Sequence, residues 1–266
     1  MYAEILRSLL EKGLLSKSSS ILVGCAGAFD DSVFQEVGFT NVTLSNLAPD
    51  QDKLRAELHY PVAHLDVEAI DAKDKSYDWV VVHAGLHHCA NPAAAVLEMF
   101  RVCRVGIMAV EPVDSSLTSL SMKFGLSQRY EVGSVVDKEG GQGGGLRFGG
   151  IPNLIYRFNP SVVRKIINTA YPEYVHQYIF WPRIVIPWKR LAQRNRFVAM
   201  VLPWFRSCVS LVEKSNVLAN NLGFAVLKPD PETSELHPWL ERRGDEIRIK
   251  ESLLKKSKEP ILGANS

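Results

Sequence analysis

The sequence predicts an α/β protein built on a doubly wound, mostly parallel sheet. Three observations carry that reading. Short apolar runs alternate with helical patterns through the first 112 residues. Small or polar residues follow each run, at the carboxyl ends where open parallel sheets bind their ligands. The run Trp79-Val80-Val81-Val82 is continuous and β-branched, as expected of a strand covered on both faces.

In order, the first strand is Ser20-Ile21-Leu22-Val23, followed at once by Gly24-Cys25-Ala26-Gly27-Ala28. A helix begins near Asp31 and Gly38 is placed to stop it. Val42-Thr43-Leu44 is a second strand ending at Ser45-Asn46, and a helix opened by Pro49 carries Leu54, Ala56 and Leu58. Val62 to Leu65 is a third strand, ending at Asp66. After the Trp79 strand, Asn91-Pro92 reads as N-cap and first residue of a helix that turns Val96, Leu97 and Phe100 inward. A fifth strand, Gly106 to Val110, ends at Glu111-Pro112. Ahead of all this, Ile5, Leu6, Leu9 and Leu10 share one face of an amphipathic helix.

Composition sets bounds on function. The 266 residues allow one large domain or two small ones, and 46% hydrophobic with 23% charged residues excludes disorder. A formal charge of +2 argues against nucleic acid as a partner. Cys25, Cys89, Cys103 and Cys208 lie far apart with no C-x-x-C, which points to a reduced, cytoplasmic protein without a zinc ribbon. No targeting segment is visible, and the most apolar stretch, Phe197 to Val212, is broken by Pro203 and Arg206 and is short for a membrane span.

Residues 1–112 are therefore read as the cofactor-binding half of the sheet. Residues 113–158 break the rhythm, and positions 140–150 hold seven glycines, read as a mobile lid or substrate-side insertion. Residues 159–230 supply a helix at Asn159-Pro160, a strand between Tyr174 and Trp188, and a last strand, Asn221 to Leu227. Residues 231–266 form a tail rich in both charge signs, read as a solvated helix or a loose end. Aromatic and basic residues mix between Tyr178 and Val212; that mixture reads as core plus solvated face, with an acceptor pocket, a homodimer surface or peripheral membrane contact left open.

The small residues after the first strand let a ligand approach the backbone closely. A hydrogen-bonding side chain after the second strand, Asn46, suits ribose hydroxyls, and a carboxylate after the third, Asp66, suits an adenine amino group. In these segments the chain resembles the class I S-adenosylmethionine-dependent methyltransferases of type 11, the group that includes ubiquinone-biosynthesis-type and small-molecule enzymes. ILVGCAGAFDD resembles the first motif of that family. The stretch from His64 to Pro112, with S-Y-D, L-H-H, N-P, E-x-x-R-V and a terminal E-P, resembles its second half. The resemblance implies a seven-stranded sheet with an antiparallel last strand and S-adenosyl-L-methionine as cofactor. It further implies that Gly24, Cys25, Ala26 and Gly27 line the methionine part, Asn46 the ribose, Asp66 the adenine, and His83 with Ala84 the carboxypropyl side. Four positions depart from the family pattern: Leu22 where an acid is usual, Ala26 and Ala28 for glycines, and Asn46 for the ribose acid.

Methyl transfer needs alignment, desolvation and, for a hydroxyl acceptor, a group to take its proton. His87 and His88, just past the fourth strand, are the candidate bases, with Glu111 after the fifth as a weaker one. The alternative for the histidines is a structural or cofactor contact. His83, His87 and His88 lack H-E-x-x-H spacing, so no metal is expected. The resulting expectation is O-methylation of a small molecule or saccharide. Two rivals stand: an NAD(P)-dependent oxidoreductase, disfavoured by the G-C-A-G-A turn, and a methyltransferase-like scaffold without catalysis, favoured by Leu22, Ala26 and Asn46.

Overall fold

A computed structural model describes residues 1–47, 51–123, 127–136, 145–146, 149–185 and 219–256. The order of elements is α1 (Tyr2–Glu11), β1 (Ile21–Gly24), α2 (Ala28–Val37), β2 (Val42–Ser45), α3 (Gln51–Glu57), β3 (Val62–Ala63) and β4 (Tyr77–His83). A single 3-10 turn at Leu86–His88 leads to α4 (Pro92–Val102), β5 (Cys103–Pro112), α5 (Ser116–Lys123) and α6 (Gly133–Val136). Then come α7 (Pro160–Ala170), β6 (Gln177–Arg183), β7 (Asn221–Leu227), β8 (Leu240–Arg243), β9 (Glu246–Ile249) and α8 (Glu251–Lys256).

Seven strands form one sheet in the order β3-β2-β1-β4-β5-β7-β6. The first five are parallel, and β7 runs antiparallel to both of its neighbours. This is the methyltransferase-type, Rossmann-like α/β arrangement that the sequence predicts. The chain winds one way from β1 out to β3 and the other way from β4 to β5. The switch between them, at the carboxyl ends of β1 and β4, is where such sheets open a crevice.

Alternation along the strands builds two cores. Leu22, Val80, Val82, Ile107 and Ala109 face α4 and α7, whereas Ile21, Val23, Trp79, Val81 and Met108 face α1 and α2. The first helix buries Ile5, Leu6 and Leu9 as its spacing predicts, each contributing roughly 1.5–3 kcal/mol of apolar burial. Asn91 and Asn159 cap α4 and α7 by accepting from Ala94 N–H and Val162 N–H, at 3.1 and 2.9 Å, with proline next in each helix. Gly38 ends α2 at φ +87°, a left-handed conformation in which a side chain would be strained.

The E-x-x-R of the sequence is explained here. Arg101 donates to Glu98, Asp74 and the carbonyls of Ile70 and Ala72, fastening α4 to the loop before β4. At the end of the same helix Lys228 donates to the carbonyls of Phe100, Arg101 and Cys103, supplying donors where a helix end lacks them.

Two elements differ from expectation. The third strand stops at Ala63, because Asp66 turns the chain: Glu68 N–H donates to its side chain at 2.9 Å and Ala69 N–H to its carbonyl at 3.0 Å. The tail holds a hairpin, β8–β9, ahead of its short helix. Its two-residue connection is Gly244-Asp245, with Gly244 at φ +61° as such turns require. Mixed charge concealed the alternation of Glu246-Ile247-Arg248-Ile249. The glycine-rich positions lie mostly outside the described residues, as do the basic cluster from Lys189 and the apolar stretch Phe197–Val212. Among the described residues no helix is long and apolar enough to cross a membrane.

Candidate functional site

The first two turns of the site meet at the switch point. After β1 the backbone passes through Cys25 at φ +54°, and after β4 through Ala84 at φ +50°. Neither residue is glycine, so both turns hold local strain, a feature that clusters at ligand sites. Their contact is close: a Cβ added to Gly85 would stand 2.4 Å from Cys25 Cβ and 3.0 Å from Val82 Cγ1. Gly24 is also packed tightly, against Val82 and Val67, whereas a Cβ on Gly27 would meet nothing within 4 Å. The turn after β1 is thus fixed on its inner side and open at Gly27, the residue that caps α2.

The next predicted residues converge on the same edge. Asn46, one residue past β2, donates through Nδ2 to Ala26 O at 2.6 Å and so buttresses the turn. Asp66 lies in its own turn after β3, half-buried. Ala84 is exposed at the end of β4. His83, expected beside Ala84, ends β4 on the side of α1. Its ring is stacked on Tyr2 at 4.6 Å and 11°, with Phe29 at 5.1 Å. Leu22 is fully in the core.

Beneath Tyr2 and the α2 N-terminus lies Asp30, 5% exposed, whose carboxylate accepts from Gly27 N–H at 3.0 Å. Burial pushes its pKa up to about 6, against the pull of that N–H and of the Tyr2 hydroxyl. A carboxyl raised in the folded state adds stability that is complete below its unfolded value near 4 and is lost as pH rises through 6. Asp30→Asn keeps the acceptor for Gly27 and removes the buried charge. It is expected to stabilise the fold at pH 8, by about 2–3 kcal/mol for a shift of this size, and to change little at pH 4. Thermal unfolding across that range checks this; an equal gap at both ends contradicts it.

The third group is built on β4 and β5. Glu111, fully buried near the end of β5, accepts from the N–H groups of Gly85 and Leu86 at 2.9 and 2.8 Å through Oε1. Its Oε2 lies 2.7 Å from His87 Nδ1. On the other side of that ring, His87 Nε2 is 3.6 Å from Glu131 Oε2, and His88 Nε2 is 3.4 Å from the same oxygen. Burial alone would lower His87, but its hydrogen bonds to Glu111 and Glu131 and their charges push it up to about 10. His88 is held below its ordinary value by burial and then by the charge on His87. Asn153 donates to His87 O at 2.8 Å and completes the group. Sequence reasoning singled out His87, His88 and Glu111 and missed Glu131 and Asn153. Both come from the segment 113–158, which carries no motif; only a contact across the fold reveals them.

Residues 21–110 match the family model of a methyltransferase domain. Among curated proteins no relative of significant similarity was found. Two solved structures share the fold at low identity. YcgJ of Bacillus subtilis is 11% identical with a TM-score of 0.51, over 85% of this chain and 98% of its own. A protein assigned as a sarcosine dimethylglycine methyltransferase of Galdieria sulphuraria is 14% identical with a TM-score of 0.51, over 86% of each chain. The matched segment and the sheet order together define a class I methyltransferase-type domain, whose cofactor is S-adenosylmethionine.

The residues present fit that cofactor. The open side of Gly27 at a helix N-terminus leaves room beside the turn, and an amide and a carboxylate, at Asn46 and Asp66, supply the hydrogen-bonding types that a ribose and an adenine need.

Proposed function

We propose that this chain methylates a hydroxyl of a small molecule, with a saccharide or another polyhydroxylated metabolite as the acceptor class, and that it works as the ubiquinone-biosynthesis-like enzymes of its type do. The observation that carries this reading is the His87–His88–Glu131 group, held on the turn after β4 whose Gly85 packs against Cys25.

In this reading Gly24, Cys25, Ala26 and Gly27 hold the methionine part of the cofactor, Asn46 the ribose, Asp66 the adenine, and Ala84 the carboxypropyl side. His83 acts through its ring stack, fixing Tyr2 and Phe29 beside the turn. When bound, S-adenosylmethionine supplies an electrophilic methyl on a sulfonium centre. In-line attack on it demands a fixed approach and exclusion of water. Glu111 is a positioning residue: with both carboxylate oxygens engaged, it sets the turn after β4 and the orientation of His87. His87, held protonated between Glu111 and Glu131, orients the acceptor hydroxyl, and His88, kept below its ordinary value, takes the proton it loses. A reduced, cytoplasmic setting suits the thiols of Cys25, Cys89 and Cys103, all free.

Calorimetric titration with S-adenosylhomocysteine, run beside NAD and NADP, tests the cofactor half. Micromolar binding of the first alone is expected. Asp66→Ala should weaken it about 10- to 100-fold through one lost hydrogen bond. Binding of a dinucleotide instead would return the oxidoreductase reading, and no binding by a folded sample would leave the scaffold. Formation of S-adenosylhomocysteine across a panel of hydroxyl, amine and carbon acceptors then tests the acceptor class. Turnover only with amines or carbon acids would overturn it.

A further inference from the structure

We propose that His87, His88 and Glu131 form a binding site for a divalent first-row transition ion, with Asn153 as a further oxygen donor. The three donor atoms, one from each residue, all lie within 4.8 Å of one another. The two measured edges, 3.4 and 3.6 Å to Glu131 Oε2, are close to the separation of about 3–3.4 Å between ligands held on a metal at ~2.1 Å.

A second observation is independent of that triangle. Asn153 is 4% exposed, and its Nδ2 is committed to the carbonyl of His87, which fixes the other atom as the amide oxygen. That Oδ1 is buried and meets no donor at full hydrogen-bond geometry, and the side chain's weaker polar partners are His88 and Glu131 themselves. A buried acceptor in this position costs free energy unless something positive faces it.

A third observation concerns the far side of the His87 ring. Metal-bound histidines commonly give their other N–H to a carboxylate, which fixes the tautomer and raises the basicity of the ligating nitrogen. Glu111 Oε2, at 2.7 Å from Nδ1, is that carboxylate. Its second oxygen is locked by two backbone N–H groups, so the ring cannot swing. His87 then presents Nε2 to the ion and loses the proton it otherwise shares with Glu131.

Two imidazoles, a carboxylate and an amide oxygen suit zinc, cobalt or ferrous iron and disfavour magnesium and calcium, which prefer all-oxygen shells. The ligands join the turn after β4 to the segment 113–158, so the ion would pin that segment to the sheet. An acceptor hydroxyl on an open position would also lose its proton more readily, the same step assigned above to His88. The site nevertheless stands apart from the cofactor reading, since ion binding can be measured with no cofactor present.

The test uses the full chain, stripped with chelator, dialysed, and titrated calorimetrically with zinc chloride and separately with magnesium chloride. Zinc is expected to bind once per chain at micromolar or tighter concentration, with proton release that varies between buffers of different ionisation enthalpy; magnesium should give no comparable heat. Cobalt should give visible bands of nitrogen and oxygen coordination. His88→Gln and Glu131→Gln should each lower zinc affinity at least tenfold while circular dichroism and the thermal midpoint show a folded chain. Glu111→Gln should lower it by about 10–100-fold without removing a ligand. No zinc binding below about 100 μM, affinity unchanged in both ligand variants, or a thiolate-to-cobalt band pointing to cysteine ligands would each overturn the proposal. S-adenosylhomocysteine binding in the same samples reports separately on the cofactor reading.

Discussion

Glu111→Ala is expected to cost the folded chain about 3–5 kcal/mol, the range for leaving one member of a buried ion pair without its partner. Three donors depend on this carboxylate: the N–H groups of Gly85 and Leu86, and His87 Nδ1. With the carboxylate gone, two backbone donors lose their acceptor in a place closed to water, and each such loss is worth about 1–3 kcal/mol. The His87 ring, 6% exposed, also loses its nearer counter-charge. Glu111→Gln should cost less, because its amide oxygen can still serve the two N–H groups. Its NH2, however, meets the His87 N–H donor to donor, so His87 must give up that proton. Urea unfolding followed by circular dichroism ranks the three proteins. A loss below about 1 kcal/mol for the alanine variant would show that the turn after β4 finds other partners.

This carboxylate also shows how far the sequence can be read. The alternation of strands and helices, the caps at Asn91 and Asn159 and the stop at Gly38 are local signals, and each is found where it was expected. The seven-stranded sheet with its last strand antiparallel is what the resemblance to class I methyltransferases implies, and the structure has it. What was not legible is which polar residues meet. Glu111 was read as a weak candidate for proton transfer, yet it is fully buried with both oxygens spoken for. His83 was read with Ala84 as flanking the cofactor; it ends β4 stacked on Tyr2 of α1, and the chain turns at Ala84 before it reaches His87. Glu131 and Asn153 approach from a segment without periodicity, so nothing local marks them. The hairpin after Leu240 was hidden for another reason: on an exposed ribbon charge replaces the apolar half of the alternation.

Glycine positions give the sharpest case. The turn after β1 was read as needing small residues so that a ligand could approach. In the structure the left-handed conformations fall on Cys25 and Ala84, while Gly85 has φ −126°, which any residue can adopt. Gly85 is required for space: its missing Cβ would stand 2.4 Å from Cys25 Cβ, an atom fixed to the backbone of the turn. Gly85→Ala must therefore displace that turn, and with it the surface proposed to hold the methionine part of the cofactor. Overpacking of this kind costs about 1–3 kcal/mol in stability, and a misplaced turn should weaken S-adenosylhomocysteine binding at least tenfold. Cys25→Gly placed in the same chain removes the opposing Cβ and also relieves the φ +54° strain. The double variant should then recover much of both losses, short of the whole because Val82 Cγ1 still stands 3.0 Å from the new methyl. Thermal unfolding and ligand titration of the four proteins form a cycle whose coupling isolates that contact. If the two changes add without coupling, the steric account of Gly85 is wrong, and its place between Cys25 and Glu111 must matter through the backbone bonds to Glu111 instead.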